Sequence, residues 1–588
     1  MHTENQAYQD YLNLLNTNRR ISLGLRLEEL AVFKPRHTAI ICHGDEFTYS
    51  EWNEEANRYS AFFAAAGYQR GDVIALMMDN SVHMLAMVAA LSKLGIISAL
   101  INTKLRKESL ARDINLCEAK AIVLDSECAE RIVQVEDYLR LWHPGEMMLL
   151  AIAGEEVPAG FIDIRQKMPP QAVNPPSTPA TSVDETLAYL FTSGSGGHRK
   201  TVPINNMRWL MAGKALEVFT GLTSDRVQYL CLPLYLSGGF NACFAGMVIS
   251  GSTLVMAKRF SASTFWSDID NHGADYFFGV GEMFHYIYNQ DPVEADRRHP
   301  LKTIISNGLT PDLIEPFKQR FGVQQIIETY NTTENIGTFI NVDEIPGMCG
   351  NLNLGGIRQG ELVQFDEEKE EILTDDQGRA IACSPDDVGL LLCTIYHYNN
   401  FPGYINDPSE TEKVILRDVF TAGDQYFHTQ DLMQLHAGDH LSFQRRLGDI
   451  YRWKGRTISA TKVSDAIKKF FGAVDDAFVF NVTVPGYKGS CGMAVVSLIP
   501  GEKLNWTQFN DYLKRRLPAH EIPLFLRLTE EEFLDDGLKQ KYREEGANPE
   551  TKDESSPDEI YVFDHAQGKY IELNEEIYAQ ILDQGFAV

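Results

Sequence analysis

The sequence ETLAYLFTSGSGGHRKTVPIN (Glu185–Asn205) joins a short apolar segment to a loop of small and basic residues. An apolar run of this length, bounded by turn residues, is typical of a buried β-strand. The loop combines glycines, hydroxyl side chains and a lysine: Gly194, Gly196, Gly197, Thr192, Ser193, Ser195 and Lys200. Glycines let successive backbone N–H groups converge on an anion. The stretch therefore predicts a triphosphate-binding loop, and a flexible turn between two strands is the alternative.

The loop does not fit the P-loop pattern G-x-x-x-x-G-K-[ST]. Lys200 fits its lysine, but Arg199 stands where the second glycine belongs. In a P-loop, the lysine and the next hydroxyl residue open a helix whose N-terminus holds phosphate. Here Pro203 follows, and a proline disfavours the helical region for the residue before it. We therefore predict an extended segment after the loop and a helix capped by Asn205 or Asn206.

Composition and charge exclude several classes of protein. The chain has 588 residues, of which 44% are hydrophobic, so it can bury large cores and is expected to divide into domains. Its formal charge of −28 argues against nucleic acid as a partner, because phosphate backbones bind basic surfaces. Nine cysteines are scattered without a C-x-x-C pair, which is typical of reduced thiols in a cytosolic protein. We expect neither a disulfide framework nor a zinc site.

Helices that alternate with short apolar strands predict the fold class. Residues 47–78 read as strand, helix, glycine and strand, with Ser50 as the helix N-cap. The segment 85–101 is too short and too interrupted to span a bilayer, and reads as a buried helix, a stop at Gly95 and a buried strand. The polar N-terminus shows no signal peptide. We predict an α/β fold with layered, mainly parallel sheets, and a C-terminal tail that folds back on the last domain.

Six segments, in order, resemble the motifs of adenylate-forming enzymes, which include acyl-CoA synthetases, luciferases and peptide-synthetase adenylation domains. The loop is similar to T-S-G-[ST]-T-G-x-P-K-G, and the other five are LCLPLYLSGGF, IISNGLTPDLIEPFKQRFG, ETYNTTEN, HTQDL and RRLGDIYRWKGRTIS. KRFSASTFWSDI and NVTVPGYKGSCGMAVV are similar to the very-long-chain acyl-CoA synthetase and fatty acid transport protein branch. The resemblance extends from about residue 27 to the C-terminus.

The resemblance implies a reaction in two steps. A carboxylate attacks the α-phosphate of ATP to give acyl-AMP and pyrophosphate, and the thiol of coenzyme A then displaces AMP. Such catalysis depends on positioning and on electrostatic stabilisation of the transition state. The implied cofactors are ATP and Mg²⁺, with coenzyme A as co-substrate.

The resemblance also assigns the nucleotide contacts. Thr192–Gly197 and Lys200 would hold the β- and γ-phosphates. Thr333 would contact the α-phosphate and Glu334 would ligate Mg²⁺, a hard cation that prefers carboxylate and phosphate oxygens. A surface acid in a turn is the alternative for Glu334. Tyr330 would stack on adenine, with the backbone around Asn307 and Gly308 on the other face, and Thr329 is a further implied ATP contact.

Later motifs supply the remaining contacts. Asp431 would accept hydrogen bonds from both ribose hydroxyls, and Arg446 would touch ribose or phosphate. Lys454 and Gly455 would bind coenzyme A, because a glycine lets pantetheine pass close to the backbone. The acyl group would contact Tyr235, Leu236, Gly239 and Phe240.

The lysine of the first half-reaction is expected in a late loop, LDDGLKQKYREEG, which is shorter than the corresponding stretch of the branch. Lys539 is the choice and Lys541 the rival; an exposed lysine without a catalytic role is the alternative for either. Lys539, Lys200, Glu334 and Thr333 form the predicted catalytic set.

The chain departs from the family pattern at Gly196, Arg199, Thr201, Leu236, Asn331, Gln430 and Gly448. His198 and Arg199 make the loop more basic, which we expect to preserve pyrophosphate binding. Leu236 replaces a histidine or aromatic residue that gates the carboxylate, which indicates a different or bulkier acyl entrance.

The resulting prediction is an acyl-CoA synthetase for a long-chain or bulky apolar acid. It has an adenylation domain over 1–445 and a small, mobile α+β domain over 446–588. An acyl-AMP ligase that loads a carrier protein and a catalytically impaired acyl- or nucleotide-binding relative are the alternatives. We expect a cytoplasmic protein with no transmembrane segment; peripheral contact with the inner face of the membrane and a homodimer are left open.

Overall fold

The computed structural model describes most of the chain, and these residues form two compact units. The described residues are 2–139, 147–150, 161–176, 178–192, 199–367, 369–396, 400–447, 450–470, 473–484, 487, 489–499, 502–529, 541–543, 545–548, 558–583 and 586. The first unit comprises Met1–Thr192, Arg199–Thr429 and Met433–Phe443, and the second comprises Gln430–Leu432 and Gln444–Val588.

Two mainly parallel sheets organise the first unit. Within the described residues, the first sheet has seven strands in the order Ile162–Asp163, Met147–Leu150, Ala121–Asp125, Val73–Met77, Ile97–Leu100, Thr186–Thr192 and Lys200–Asn205. The second has eight, in the order Phe339–Ile340, Gln325–Tyr330, Thr303–Asn307, Tyr276–Val280, Val227–Leu230, Thr253–Met256, Thr38–Cys42 and Asp45–Thr48. Antiparallel pairs occur at the last pair of the first sheet and at both ends of the second. Parallel neighbours need crossover connections, and helices such as Pro311–Phe321, between Thr303–Asn307 and Gln325–Tyr330, supply them among the described residues; this confirms the predicted α/β class.

A third sheet follows in the chain, with the strands Gly350–Asn351, His440–Arg446, Gln425–Leu435, Val388–Thr394 and Gly360–Val363, and with Ile415–Arg417 beside the third of these. Two short ladders accompany it, Asn353–Leu354 with Ile357–Arg358 and Phe365–Asp366 with Glu371–Ile372.

The second unit has a smaller mixed sheet. Its strands, in order, are Val474–Thr483, Ser490–Leu498, Phe525–Thr529, Glu559–Asp564 and Lys569–Glu572, preceded in the chain by the hairpin Ile450–Trp453 and Arg456–Ser459. The tail strand Glu559–Asp564 pairs antiparallel with Phe525–Thr529, so the prediction that the tail folds back is confirmed. A separate apolar core lies beneath this sheet, around Met493, Phe509 and Val562.

The helices cover the sheets and connect their strands. The α-helices described are His2–Thr17, Leu23–Phe33, Tyr49–Ala65, Val82–Leu94, Lys107–Leu116, Ala129–Val133, Ile164–Lys167, Asn206–Thr220, Ala245–Ser250, Phe265–Asn271, Gly281–Tyr288, Pro311–Phe321, Pro408–Val414, Ala460–Lys468, Trp506–Arg516 and Glu575–Leu582. A π-helical segment, Gly238–Phe244, runs directly into Ala245–Ser250. None of the described helices is both long and apolar enough to cross a membrane.

The segment after the glycine loop folds as its proline predicts. Lys200–Asn205 is a strand, and the side chain of Asn205 accepts a hydrogen bond from the backbone N–H of Arg208. Asn205 is therefore the N-cap of Asn206–Thr220, in agreement with one of the two predicted caps.

One predicted cap is wrong. The helix Tyr49–Ala65 is capped by Thr48, whose hydroxyl accepts from the N–H of Glu51, while the Glu51 carboxylate accepts from the N–H of Thr48. Ser50 already lies inside the first turn. The capping box satisfies two free N–H groups at once, which a cap at Ser50 cannot do with the same acid.

The fully buried Lys93 links its own helix, Val82–Leu94, to the helices Tyr49–Ala65 and Leu23–Phe33. The Nζ atom of Lys93 donates to the side-chain oxygens of Asn53 at 2.6 Å and Asn57 at 2.7 Å, and lies 3.1 Å from a carboxylate oxygen of Glu28. Burial lowers the pKa of Lys93 to about 8, although the Glu28 carboxylate opposes the shift. The predicted buried helix is confirmed, with an ionisable group inside it.

Candidate functional site

The two strands that flank the glycine loop bring its ends together. Thr192 lies opposite Lys200 in the antiparallel ladder. Five predicted phosphate-binding residues lie outside the described residues: Ser193, Gly194, Ser195, Gly196 and Gly197. Lys200–Asn205 is a strand, so no helix begins directly after the loop. A P-loop requires such a helix N-terminus, and the structure therefore excludes the P-loop interpretation.

Lys200 is buried beside the loop that follows the third sheet's Val388–Thr394 strand. Its Nζ lies 2.8 Å from a carboxylate oxygen of Glu410 and 4.9 Å from the centre of the Tyr404 ring. The hydrogen bond from Lys200 lowers the pKa of Glu410, and Lys413 adds to this effect. The predicted phosphate lysine is therefore held by an acid and an aromatic ring that the sequence motifs did not assign.

Glu334 lies against the same tyrosine. Its side chain is 7% exposed, and its Oε1 accepts a hydrogen bond of 2.7 Å from the Tyr404 hydroxyl. The Arg208 guanidinium donates to the backbone oxygens of Glu334 and Pro203. Burial lowers the pKa of Arg208 to about 10, so this group stays charged at neutral pH. The alternative of a surface acid in a turn is wrong, because Glu334 is buried and held from two directions.

The donors around Glu334 fit a hard divalent cation. A carboxylate is a preferred ligand of Mg²⁺, and a hydrogen bond to one of its oxygens fixes its orientation. The hydroxyl of Thr332 is buried without a hydrogen-bond partner among the described residues. Two basic side chains lie near this residue, because Lys200 lies over the Tyr404 ring and Arg208 donates to the backbone oxygen of Glu334.

The predicted adenine contacts lie at the carboxyl ends of two neighbouring parallel strands, Thr303–Asn307 and Gln325–Tyr330. The hydroxyl of Thr329 donates to the backbone oxygen of Ser306 at 3.1 Å and links the two strand ends. Gly308 follows at a φ of +86°, a conformation that favours glycine. Ligands of α/β sheets bind outside the carboxyl ends of the strands, so the structure brings these residues to a suitable edge.

The motifs missed Glu328, a buried acid at this edge. Its Oε2 accepts a hydrogen bond of 3.2 Å from the backbone N–H of Gly308. Burial raises the pKa of Glu328 to about 7. The sequence signal was an acid inside the apolar run IIETY, where a carboxylate needs a specific partner.

The predicted acyl contacts surround the start of the π-helical segment. Leu236 is half-buried, whereas Phe240 is 1% exposed. The indole N–H of Trp209 donates to the backbone oxygen of Phe240 at 2.9 Å, and the two rings are 6.0 Å apart. At Gly239, a Cβ atom would lie 2.5 Å from the backbone oxygen of Pro233, so only glycine allows this approach. The remaining predicted contact, Tyr235, is buried.

In the second unit, Asp431 and Arg446 lie on adjacent strands of the third sheet. Asp431 is buried, and its Oδ1 is 3.8 Å from a guanidinium nitrogen of Arg446. The preceding Gln430 has a φ of +67°, which explains why the family motif carries glycine there. Lys454 and Gly455 form the exposed turn of the hairpin, both at positive φ.

The late-loop lysines are described in part. Lys539 lies outside the described residues, as does Gly448. Residues 541–543 are helical, and the Nζ of Lys541 is 3.9 Å from a carboxylate oxygen of Glu545. The choice between the two lysines stays a prediction.

The structure explains three departures from the family pattern, at Arg199, Thr201 and Asn331. The Arg199 guanidinium donates to a carboxylate oxygen of Asp113 at 2.7 Å, and both side chains are buried. The expectation that Arg199 makes the loop more basic is wrong, because its charge is neutralised inside the fold. Thr201 and Asn331 do not have positive φ, so neither position requires the glycine of the motif.

The strand ends at Asn307 and Tyr330, together with the buried Lys200 and Glu334, give an α/β protein with the residue types expected of a nucleotide site. The profile of the family described as AMP-binding enzyme matches residues 27–379. The chain belongs to this family, and the resemblance to adenylate-forming enzymes is confirmed.

Relatives and solved structures agree with this assignment. The chain is 32% identical to long-chain fatty acid transport protein 6 of Mus musculus over 94% of its own length and 89% of that protein. It is 31% identical to the medium/long-chain-fatty-acid–CoA ligase FadD6 of Mycobacterium tuberculosis, over 88% and 84% of the two chains. The crystal structure of the anthranilate CoA ligase AuaEII with anthranoyl-AMP shares the fold, with a TM-score of 0.70, 18% identity and coverage of 89% and 97%. The structure of the O-succinylbenzoate CoA synthetase MenE of Bacillus subtilis, in complex with ATP and magnesium, also shares the fold. Its TM-score is 0.66 at 21% sequence identity, and the match covers 87% of this chain and 99% of MenE.

Proposed function

We propose that this protein is an AMP-forming acid–thiol ligase that activates a long-chain or bulky apolar carboxylic acid as acyl-AMP and transfers it to coenzyme A. The arrangement of Lys200 and Glu334 around Tyr404, in a chain of the AMP-binding enzyme family, carries the proposal. The relatives described as fatty acid transport proteins and as a medium/long-chain-fatty-acid–CoA ligase support the acyl class.

In this proposal Lys200, Thr192 and the loop residues between them bind the β- and γ-phosphates. Glu334 would hold Mg²⁺, which neutralises charge on the phosphate oxygens when bound. Thr333 would donate to the α-phosphate. The charged Arg208 keeps the backbone of Glu334 fixed during the reaction, so little reorganisation is needed in the transition state.

The remaining assignments are part of the same proposal. Adenine would lie at the strand edge of Asn307, Gly308 and Tyr330, and ribose on Asp431 and Arg446. Lys454 and Gly455 would contact coenzyme A, and Lys539 would act in the first half-reaction. We assign residues 1–445 to adenylation and 446–588 to a mobile domain.

We also propose a cytoplasmic protein with peripheral contact to the inner face of the membrane. Val32 and Phe33 are 70% and 78% exposed at the end of the helix Leu23–Phe33, directly before Lys34 and Arg36. An apolar pair beside basic residues supports contact with an anionic bilayer surface. A homodimer stays a prediction.

The proposed function is tested by incubating the protein with ATP, Mg²⁺ and a panel of C8–C24 acids, with and without coenzyme A. Acyl-CoA and AMP should form together when coenzyme A is present, and hydroxylamine should trap acyl-AMP in its absence. Acyl-AMP that accumulates despite coenzyme A would favour a carrier-protein acceptor. No hydroxamate with any acid would overturn the proposal in favour of an impaired relative.

Replacement of Leu236 by histidine tests the acyl entrance. We expect Leu236→His to lower kcat/KM for the longest accepted acids about tenfold relative to medium-chain acids, because a polar side chain disfavours apolar groups in the entrance. The measurement is kcat/KM across chain length. An unchanged profile would show that Leu236 does not contact the acyl group.

A further inference from the structure

The segment FPGYINDPSE (401–410) carries Tyr404, which contacts both Lys200 and Glu334. It also carries Glu410, which lies in the first turn of the helix Pro408–Val414 and contacts Lys200. The Tyr404 ring lies under the Lys200 ammonium group, while its hydroxyl donates to Glu334. The Glu410 carboxylate accepts a hydrogen bond of 2.8 Å from Lys200. One buried aromatic side chain therefore separates a cation from a carboxylate.

The segment 401–410, which carries these side chains, is held by several backbone hydrogen bonds. The backbone N–H of Ile405 donates to the Thr201 oxygen at 3.0 Å, next to Lys200 in the chain. The N–H of Tyr404 donates to the Thr411 hydroxyl at 2.9 Å. Asp407 caps the short helix Pro408–Val414, and its side chain accepts from the N–H of Glu410. These contacts fix Tyr404 and Glu410 relative to the strand of Lys200.

Charge explains why such a separation is useful. An ammonium group and a carboxylate in a partly buried site attract each other strongly, and a direct pair would occupy both groups. Glu410 gives Lys200 a separate anionic partner, and the Tyr404 hydroxyl gives Glu334 a neutral donor. The carboxylate of Glu334 then keeps its charge available for a cation.

We propose that Tyr404 and Glu410 are positioning residues that hold Lys200 and Glu334 apart, so that the carboxylate of Glu334 stays available for a divalent metal. This inference rests on the metal and phosphate roles in the proposed function. Tyr404 orients Glu334 through its hydroxyl, and Glu410 keeps Lys200 from pairing with Glu334.

Tyr404→Phe keeps the ring under Lys200 and removes the hydroxyl that orients Glu334. We expect the Mn²⁺ affinity, measured by electron paramagnetic resonance with saturating α,β-methylene-ATP, to fall about 10- to 100-fold, as is typical when an outer partner of a metal ligand is removed. Tyr396→Phe is the matched control, because its hydroxyl donates to the backbone oxygen of Arg358 instead. Equal Mn²⁺ affinities of wild type, Tyr404→Phe and Tyr396→Phe would overturn the role of Tyr404.

Glu410→Gln removes the anionic partner of Lys200. We expect Lys200 to turn toward Glu334 and to lower the Mn²⁺ affinity about tenfold, which corresponds to the 1.4 kcal/mol scale of a modest charge interaction. The double variant Lys200→Ala/Glu410→Gln should recover the Mn²⁺ affinity with the analogue still saturating, because the competing ammonium is gone. Glu412→Gln is the control on the same helix, since Glu412 pairs with Arg417.

A loss in Glu410→Gln that the double variant does not recover would contradict the competition. Circular dichroism and melting temperature identify any variant that has failed to fold. If Tyr404→Phe or Glu410→Gln does not fold, the Mn²⁺ affinity of the other of these two variants tests the proposal. If the wild type binds Mn²⁺ and the ATP analogue but forms no acyl-AMP, the proposed function fails while the metal-affinity differences still test the positioning role.

Discussion

Glu334→Gln is expected to lower the rate of acyl-adenylate formation by about 100- to 1000-fold, the usual effect of removing one preorganised electrostatic contact from a transition state. The substitution keeps the shape of the side chain, and the amide oxygen still accepts from Tyr404. What is lost is the negative charge that, in the proposed function, would hold Mg²⁺ against the phosphates. The measurement is hydroxylamine-trapped acyl-AMP at saturating ATP, as a function of Mg²⁺ concentration.

The control for this variant is Glu412→Gln, which changes one exposed carboxylate of the first unit and should leave the rate unchanged. Melting temperatures of wild type and both variants should agree closely. An adenylation rate of Glu334→Gln within a factor of three of wild type would exclude Glu334 as the metal ligand.

Lys93→Met is expected to destabilise the first unit by about 3–5 kcal/mol, the usual cost of removing one partner of a buried ion pair. The variant leaves the Glu28 carboxylate and the side-chain oxygens of Asn53 and Asn57 without their ammonium donor. The measurement is urea unfolding at neutral pH, followed by a probe in the first unit. Methionine fills much of the same volume as lysine, so the decrease in the free energy of unfolding measures the polar contacts of Lys93.

A double-variant cycle isolates the interaction energy between Lys93 and Glu28 from their contacts with other residues. Glu28→Gln in the Lys93→Met background removes the unpaired charge and should recover part of the lost stability. A Lys93→Met protein as stable as wild type would show that the buried lysine contributes nothing at neutral pH.

Lys93 also predicts a pH dependence. Burial lowers its pKa to about 8 in the folded protein, whereas an unfolded lysine titrates near pH ~10.4. Between these values the unfolded chain binds the proton that the folded chain has released, so stability rises with pH. The stability of wild type relative to Lys93→Met should therefore increase from about pH 8 to about pH 10 and stay flat below pH ~7.

Some features of this protein are local, and the sequence determined them. The strand–loop–strand order around the glycines, the extended path before Pro203, the cap at Asn205 and the buried helix ending at Gly95 each depend on a few adjacent residues. The family motifs are short segments of the same kind, so the sequence also predicted the fold class and singled out Glu334 and Asp431 as candidate site residues. The capping error at Ser50 arose because two neighbouring hydroxyl residues compete for one helix start.

Only the tertiary structure decided which charges face the site. Arg199 pairs with Asp113, 86 residues away in the chain, and so adds no free charge to the phosphate loop. Tyr404 donates to Glu334, 70 residues away in the chain, and Glu410 pairs with Lys200 from the helix that follows Tyr404. Periodicity and motif spacing carry no information about such partners, because a side chain's charge is neutralised or left available by whatever the folded backbone places within a few ångströms of it.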